Sequence, residues 1–215
     1  MVLFHVKDLV LDGEDDFAQI LRSIELEPEE GTAITYFMIF NKSTIQNIFR
    51  HGYYGYVCGW IDRRLDTCCV FIYTDSGWKY VVLTSDLHDG MILHVAMSWK
   101  NNTFLRGYLN GQKVGEISIS SVKYDTHDIH IGCEYDSRDA LKNFAKARVF
   151  YVIMYSEVLS DTTISQTFNN IITWKPKMVL FIEPSYSNTT HLFDLVGGHH
   201  AEMKNGAKAE STVHP

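Results

Sequence analysis

Apolar and polar residues alternate with a period of two along most of this 215-residue chain, and a helical period is nearly absent. Successive side chains of an extended strand point to opposite faces, so this pattern builds strands with one buried face. Gly, Asn and Asp punctuate it. "YYGYVCGWID", "TCCVFIYT" and "GWKYVVLTS" form a predicted three-stranded meander around the turns "RRLD" and "DSG". "MILHVAMSW" and "FLRGYLN" follow, and Asn110-Gly111 suits the positive φ angles of a type I′ hairpin turn into "QKVGEISI". In "AKARVFYVIMY", Val149, Tyr151 and Ile153 alternate with Phe150, Val152 and Met154. Both faces are apolar, as in a central strand covered on both sides. Only "LSDTTISQTFNN", residues 159–170, reads as a helix, with Ser160 as its N-cap and Ile164 and Phe168 four apart on one face. The expected fold class is all-β, a two-sheet antiparallel sandwich with one short helix near 160–170.

Apolar residues make up 46% and aromatic residues 13% of the chain, enough for a substantial core and unlike a disordered sequence. The formal net charge is −7, and the nearest basic cluster is the scattered Lys204 and Lys208. A binder of phosphate backbones needs the opposite balance, so no nucleic-acid partner is expected. The opening "MVLFHVKDLVLDGEDDFAQI" carries acids where a secretion signal needs an apolar run, and no run of 18 apolar residues occurs. Neither membrane insertion nor a secretion signal is therefore expected. Asn41, Asn101 and Asn188 match the N-glycosylation pattern, which arises readily by chance in a chain rich in Asn and Thr. Residues 1–177 are expected to form the main domain, and "TWKPK" around Pro176 reads as a linker to a final unit at 178–215.

Three stretches resemble the laminin-G-like modules of the concanavalin A-like lectin/glucanase superfamily. "VLDGEDDFAQI" at 10–20 is similar to the opening strand, "LHVAMSWKNNTFLRGYLNGQKVG" at 93–115 to the central hairpin, and "ARVFYVIMYSEVLSDTTISQTFNN" at 147–170 to the closing strand and helix. The resemblance implies a jelly roll. In the family a leader similar to "LFDLVGGHHAEMKNGAK" usually precedes the Asp-Gly-x-Asp-Asp strand, whereas here it comes last. Residues 178–210 are expected either to complete their own sandwich or to pair with a neighbouring copy, which would make them a self-association device.

Candidate sites follow from residue chemistry. Tyr53, Tyr54, Tyr56, Trp60 and Trp78 cluster in the meander and offer ring faces on which sugars stack, with core packing as the alternative. Asp12, Asp15 and Asp16 offer hard oxygen ligands for Ca²⁺, the one cofactor considered, and a strand-end turn explains them equally well. A two-residue turn at Arg63-Arg64 would set Cys58 opposite Cys69 and allow a cross-strand disulfide, with two buried thiols as the alternative. Cysteine spacing does not suit a structural zinc site. His127, His130 and Cys133 could be taken for metal ligands, but an odd separation on a strand sends the two histidines to opposite faces. His199 and His200 meet the same objection. No run of alternating Glu and Asp provides the carboxylate pair of a glycosidase, so no catalytic residue is assigned.

The expected function is that of a non-catalytic binding or assembly protein, similar to modules in viral and phage structural or adhesion proteins on a virion or extracellular surface. It would meet a glycan or a host-surface ligand. The alternative is a soluble carbohydrate-binding lectin.

Overall fold

A computed structural model describes residues 7–40, 45–172 and 174–211. Asn41 lies outside them. Strands β1 (Lys7–Asp12) and β2 (Phe17–Ile20) precede a 3-10 turn at Ile24–Leu26 and the long β3 (Glu30–Ile39). β4 (Ile45–His51) comes next, and the predicted three-stranded meander follows as β5 (Tyr56–Asp62), β6 (Thr67–Thr74) and β7 (Gly77–Thr84). A second meander comprises β8 (Ile92–Lys100), β9 (Phe104–Leu109) and β10 (Gln112–Ser118). Next come β11 (Ile129–Ile131), the small hairpin β12 (Glu134–Tyr135) and β13 (Leu141–Lys142), β14 (Lys146–Tyr155) and helix α1 (Asp161–Phe168). The chain returns through β15 (Met178–Ser187), β16 (His191–Asp194), β17 (Ala201–Lys204) and β18 (Lys208–Ser211).

All pairings are antiparallel. One sheet runs β10-β9-β8-β3-β14, the other β17-β2-β11-β4-β5-β6-β7, and β15 and β16 carry the hydrogen-bonded path between them. The product is a two-sheet jelly-roll sandwich. Asn110 and Gly111 both have positive φ, and Leu109 pairs with Gln112, as an Asn-Gly hairpin requires. The tail is in the fold: β15 pairs with β14, β17 with β2 and β18 with β1, all within this chain.

The main core lies between the sheets, where Phe37, Val95, Met97 and Trp99 meet Ile48, Phe49, Cys58 and Val70. A second core covers the outer side of the β3/β14 sheet, where Ile34, Tyr108, Tyr151 and Ile153 pack under Leu159 and Ile164. β14 is therefore buried on both faces, as its composition predicts, but not with the predicted parity. A bulge at Phe150 puts Val149 opposite Phe37 and Tyr151 opposite Tyr36, so Val149, Val152 and Met154 share the main core while Phe150, Tyr151 and Ile153 face the helix. The Ser160 hydroxyl accepts the Thr163 amide and caps α1.

The same physics excludes the register that would have allowed a Cys58–Cys69 disulfide and leaves the alternative of buried thiols. The turn after β5 spans four residues, because the Asp62 carboxylate accepts the Arg64 amide at 2.9 Å and the Asp62 carbonyl accepts that of Leu65. Asp62 then pairs with Thr67, Trp60 with Cys69 and, past a bulge at Gly59, Cys58 with Val70. Cys58 points into the core, and all four cysteines are buried free thiols.

Candidate functional site

The outer face of the β11-β4-β5-β6-β7 sheet follows from its register. His130, Arg50, Val57, Phe71 and Tyr80 stand side by side in one cross-strand row. Trp60 occupies the next row, between Asn47 and Cys69, and Trp78 lies opposite Tyr73. Intervening residues such as Cys58, Val70 and Val81 turn into the core; alternation sends Phe71, Trp78 and Tyr80 outward, and the bulge at Gly59 brings Trp60 to the same face. Their rings interlock: Trp60 meets Phe71 at 5.0 Å, Phe71 stacks on Tyr80 at 5.2 Å and Trp78 meets Tyr73 at 5.1 Å.

The β12–β13 hairpin lies across this face. Tyr135 covers His130 at 4.8 Å, while Glu134 and Lys142 face the aromatic wall across a cavity of about 240 Å³. Arg50 forms the floor, with its side chain 6% exposed. Its Nη1 is paired with Glu134, Nε donates to the Gly52 carbonyl at 2.8 Å and Nη2 to the Tyr53 carbonyl. The guanidinium lies 5.2 Å from the Trp78 ring and 5.9 Å from that of Tyr53. Burial draws the Arg50 pKa below the ordinary arginine value, and the Glu134 charge opposes it. Glu134 also accepts from Asn143 Nδ2.

Of the aromatic residues singled out from sequence, Tyr53, Trp60 and Trp78 line this cavity. Tyr54 stacks on Tyr73 at 4.1 Å and lines an adjoining cavity of about 180 Å³ with Asp125, His127 and Asp139. Tyr56 is a core residue stacked on Trp99. Sequence reasoning missed Arg50, Phe71, Glu134 and Lys142. Phe71 was legible as an aromatic out of phase with Val70 and Ile72, but the hairpin residues reach the site only by tertiary folding.

Asp12, Asp15 and Asp16 do converge, each offering an oxygen within 4.8 Å of the others. Burial raises the pKa of Asp16, and the charges of Asp12 and Asp15 add to that rise against the pull of the Asp12 amide. Two of the carboxylates also serve the turn: Asp12 accepts the Glu14 amide at 2.7 Å and Asp16 that of Asp12 at 3.2 Å.

The histidines are placed differently from the parity argument. His127 precedes β11, so it shares no strand with His130, and both rings pack on Tyr135. Burial lowers the pKa of His127, but hydrogen bonds to Asp139 and Asp125 outweigh it and leave the pKa raised. Among the described residues neither joins a cluster of metal-ligating atoms. His199 contacts Glu25 at 3.0 Å, and the His200 ring nitrogen accepts the Asp194 amide. With His191 they line a larger cavity of about 460 Å³ beside Gln19 and Glu202. That cavity has no aromatic ring other than imidazole, so it offers less to a ligand with an apolar face. No helix among the described residues is long and apolar enough to cross a membrane.

A family model described as the Concanavalin A-like lectin/glucanases superfamily matches residues 12–165, more than two thirds of the chain. No curated protein matches the sequence. The fold is similar to that of a Bacteroides ovatus protein assigned to carbohydrate binding, with a TM-score of 0.77, 13% identity and coverage of 99% of this chain and 62% of that one. This chain thus spans less than two thirds of that protein. A heptameric SAP-like pentraxin of Limulus polyphemus has a TM-score of 0.61 at 14% identity, over 85% of this chain and 94% of its own. The CBM40 of the Ruminococcus gnavus IT-sialidase has a TM-score of 0.57 at 13% identity, over 78% and 99%. At such identities the likeness is one of fold.

Proposed function

The chain belongs to the Concanavalin A-like lectin/glucanases superfamily, and from that premise we propose that it is a non-catalytic module that binds a glycan in the cavity above Arg50. The observation that carries this reading is the wall of Trp60, Phe71 and Trp78 facing the polar rim of Glu134 and Lys142. Sugars present an apolar ring face and a polar edge, and a cavity with one aromatic side and a few convergent polar groups matches both. At about 240 Å³ the cavity falls below the ~300–1,000 Å³ of pockets for drug-sized ligands. It admits a terminal sugar or a short segment rather than a long chain.

Support for a non-catalytic role comes from the acids. Glycosidases set two carboxyl groups about 5–10 Å apart around the scissile bond. Among the residues lining this cavity Glu134 is the one carboxylate, and it is held by Arg50 and Asn143. A self-association role for residues 178–210 has less support, because β15, β17 and β18 already have partners within the chain. An adhesion role on a virion or other extracellular surface would use the same cavity against a host glycan.

The test is a glycan array followed by titration calorimetry on the intact chain and on Trp78→Ala. Removing the half-buried ring should cost about 1.5–3 kcal/mol of apolar contact, at least tenfold in Kd. Unchanged binding with Trp78→Ala would place the ligand elsewhere. Calcium, as the cofactor considered, would be held by Asp12, Asp15 and Asp16, where it would relieve the crowding of three carboxylates. Added Ca²⁺ should then raise the Tm of the natural chain and not that of Asp15→Asn; no shift in either leaves the turn as the triad's whole role.

A further inference from the structure

The charges around the cavity do not balance. Arg50 and Lys142 bring two cations against the single carboxylate of Glu134, in a chain whose net charge is −7. Asp125 also acts on Arg50 from outside the lining, so the excess is confined to the cavity's own wall, where Lys142 is the cation left to a ligand. We propose, resting on the glycan-binding reading above, that the sugar bound here carries an anionic group, a carboxylate or a sulfate ester, set against Arg50 and Lys142 while its ring lies on the aromatic wall.

Hydrogen-bond geometry supports this. A guanidinium has five N–H donors, and Arg50 spends three of them, on Glu134, the Gly52 carbonyl and the Tyr53 carbonyl. Arg50 thus acts on a ligand mainly through its charge, from the floor of the cavity that it lines. Lys142 Nζ stands 3.8 Å from Glu134 Oε1, beyond hydrogen-bond length, and that oxygen already accepts from Asn143. The ammonium is therefore held near the rim by attraction without being consumed there. A charge-assisted hydrogen bond to either group is stronger than a neutral one, and stronger still beside rings that exclude water.

Other ligand classes fit less well. A cationic group would meet two like charges. A bare inorganic anion would leave Trp60, Phe71 and Trp78 without a role. A neutral sugar would use the wall but would cover the Lys142 ammonium without supplying a counter-charge, a desolvation cost with no return.

The experiment uses the intact chain on an array of neutral oligosaccharides beside their sialylated, uronate-bearing and sulfated counterparts, repeated with Lys142→Gln after a melt confirms that it folds. Binding confined to acidic sugars, weakened about tenfold by Lys142→Gln and reduced by added salt, supports the proposal. The carboxylate and sulfate arms then tell the two sources of the charge apart. Neutral sugars bound as tightly as acidic ones, with Lys142→Gln silent, would overturn the anionic requirement and leave glycan binding standing. An array with no bound sugar of any kind would overturn the glycan reading itself.

Discussion

Lowering the pH from 6.5 towards 3 is expected to destabilise this fold by several kcal/mol, and His94 is the main reason. Its ring is wholly buried between Tyr36, Tyr151 and Phe168. The Thr167 hydroxyl donates to the Ile164 carbonyl at 2.7 Å, so it accepts the Nε2 proton of His94 at 2.9 Å. Nδ1 is then a buried acceptor without a partner among the described residues. A second ring proton would put a charge in this buried setting; burial outweighs the help of the residue's own backbone and draws the His94 pKa down to about 3 from 6.5. The folded state thus binds fewer protons than the unfolded state between those values. Stability is complete above the unfolded pKa of 6.5 and is lost as the pH falls towards 3, with no further loss from this group below that. At about 1.4 kcal/mol per unit the effect is roughly 3–5 kcal/mol, a large share of the ~5–15 kcal/mol that holds most domains together. His130, drawn down to about 4 by burial, acts in the same direction. Urea unfolding followed by tryptophan fluorescence at several pH values should therefore give a falling midpoint for the natural chain and a flatter profile for His94→Phe, which fills the same aromatic setting without a titrating nitrogen. Parallel profiles for the two proteins would remove His94 as the source.

Truncation before Met178 should abolish cooperative folding. Met178, Leu180, Phe181, Ile182 and Leu192 are each no more than 3% exposed, and they belong to both cores. Five such side chains at roughly 1.5–3 kcal/mol apiece amount to about 8–15 kcal/mol, an upper estimate because unfolded chains bury some of this surface already. That equals the whole stability expected of a domain. The loss would also strip β14 of one neighbour along Val152–Tyr155 and leave β2 and β1 each paired on one side only, exposing unpaired edges that invite aggregation. Light scattering and a thermal melt on the full and truncated chains check this. A truncated chain that is monomeric and melts cooperatively would mean that residues 178–211 are dispensable to the sandwich and free to act on a second copy.

Local chemistry decided much of this fold. The period-two alternation, the Asn110-Gly111 turn and the Ser160 cap each depend on residues close in the chain, so strands, hairpin and helix were all legible from the residues themselves. Alternation also puts Trp78 on the face of Tyr80 and opposite that of Val81, but it does not say which of the two faces is covered. Bulges break that logic. One extra residue at Phe150 or Gly59 reverses the parity of everything beyond it, and a four-residue turn closed by Asp62 shifted the register that would have joined Cys58 to Cys69.

The site needed the tertiary structure. Arg50 and Glu134 are 84 positions apart, and only the folding of the β12–β13 hairpin over β4 makes them the floor and rim of one cavity. The tail's place within its own sandwich was likewise undetermined by its residues, since an unpaired strand pairs equally well with its own sheet or another. Which edge it reaches depends on the path of the chain through Pro176 and on the cores that Leu180 and Phe181 enter. Sequence determined which residues can lie on a common face, because that is set by the backbone's local period; only the folded chain decided which faces meet, because that is set by long-range packing.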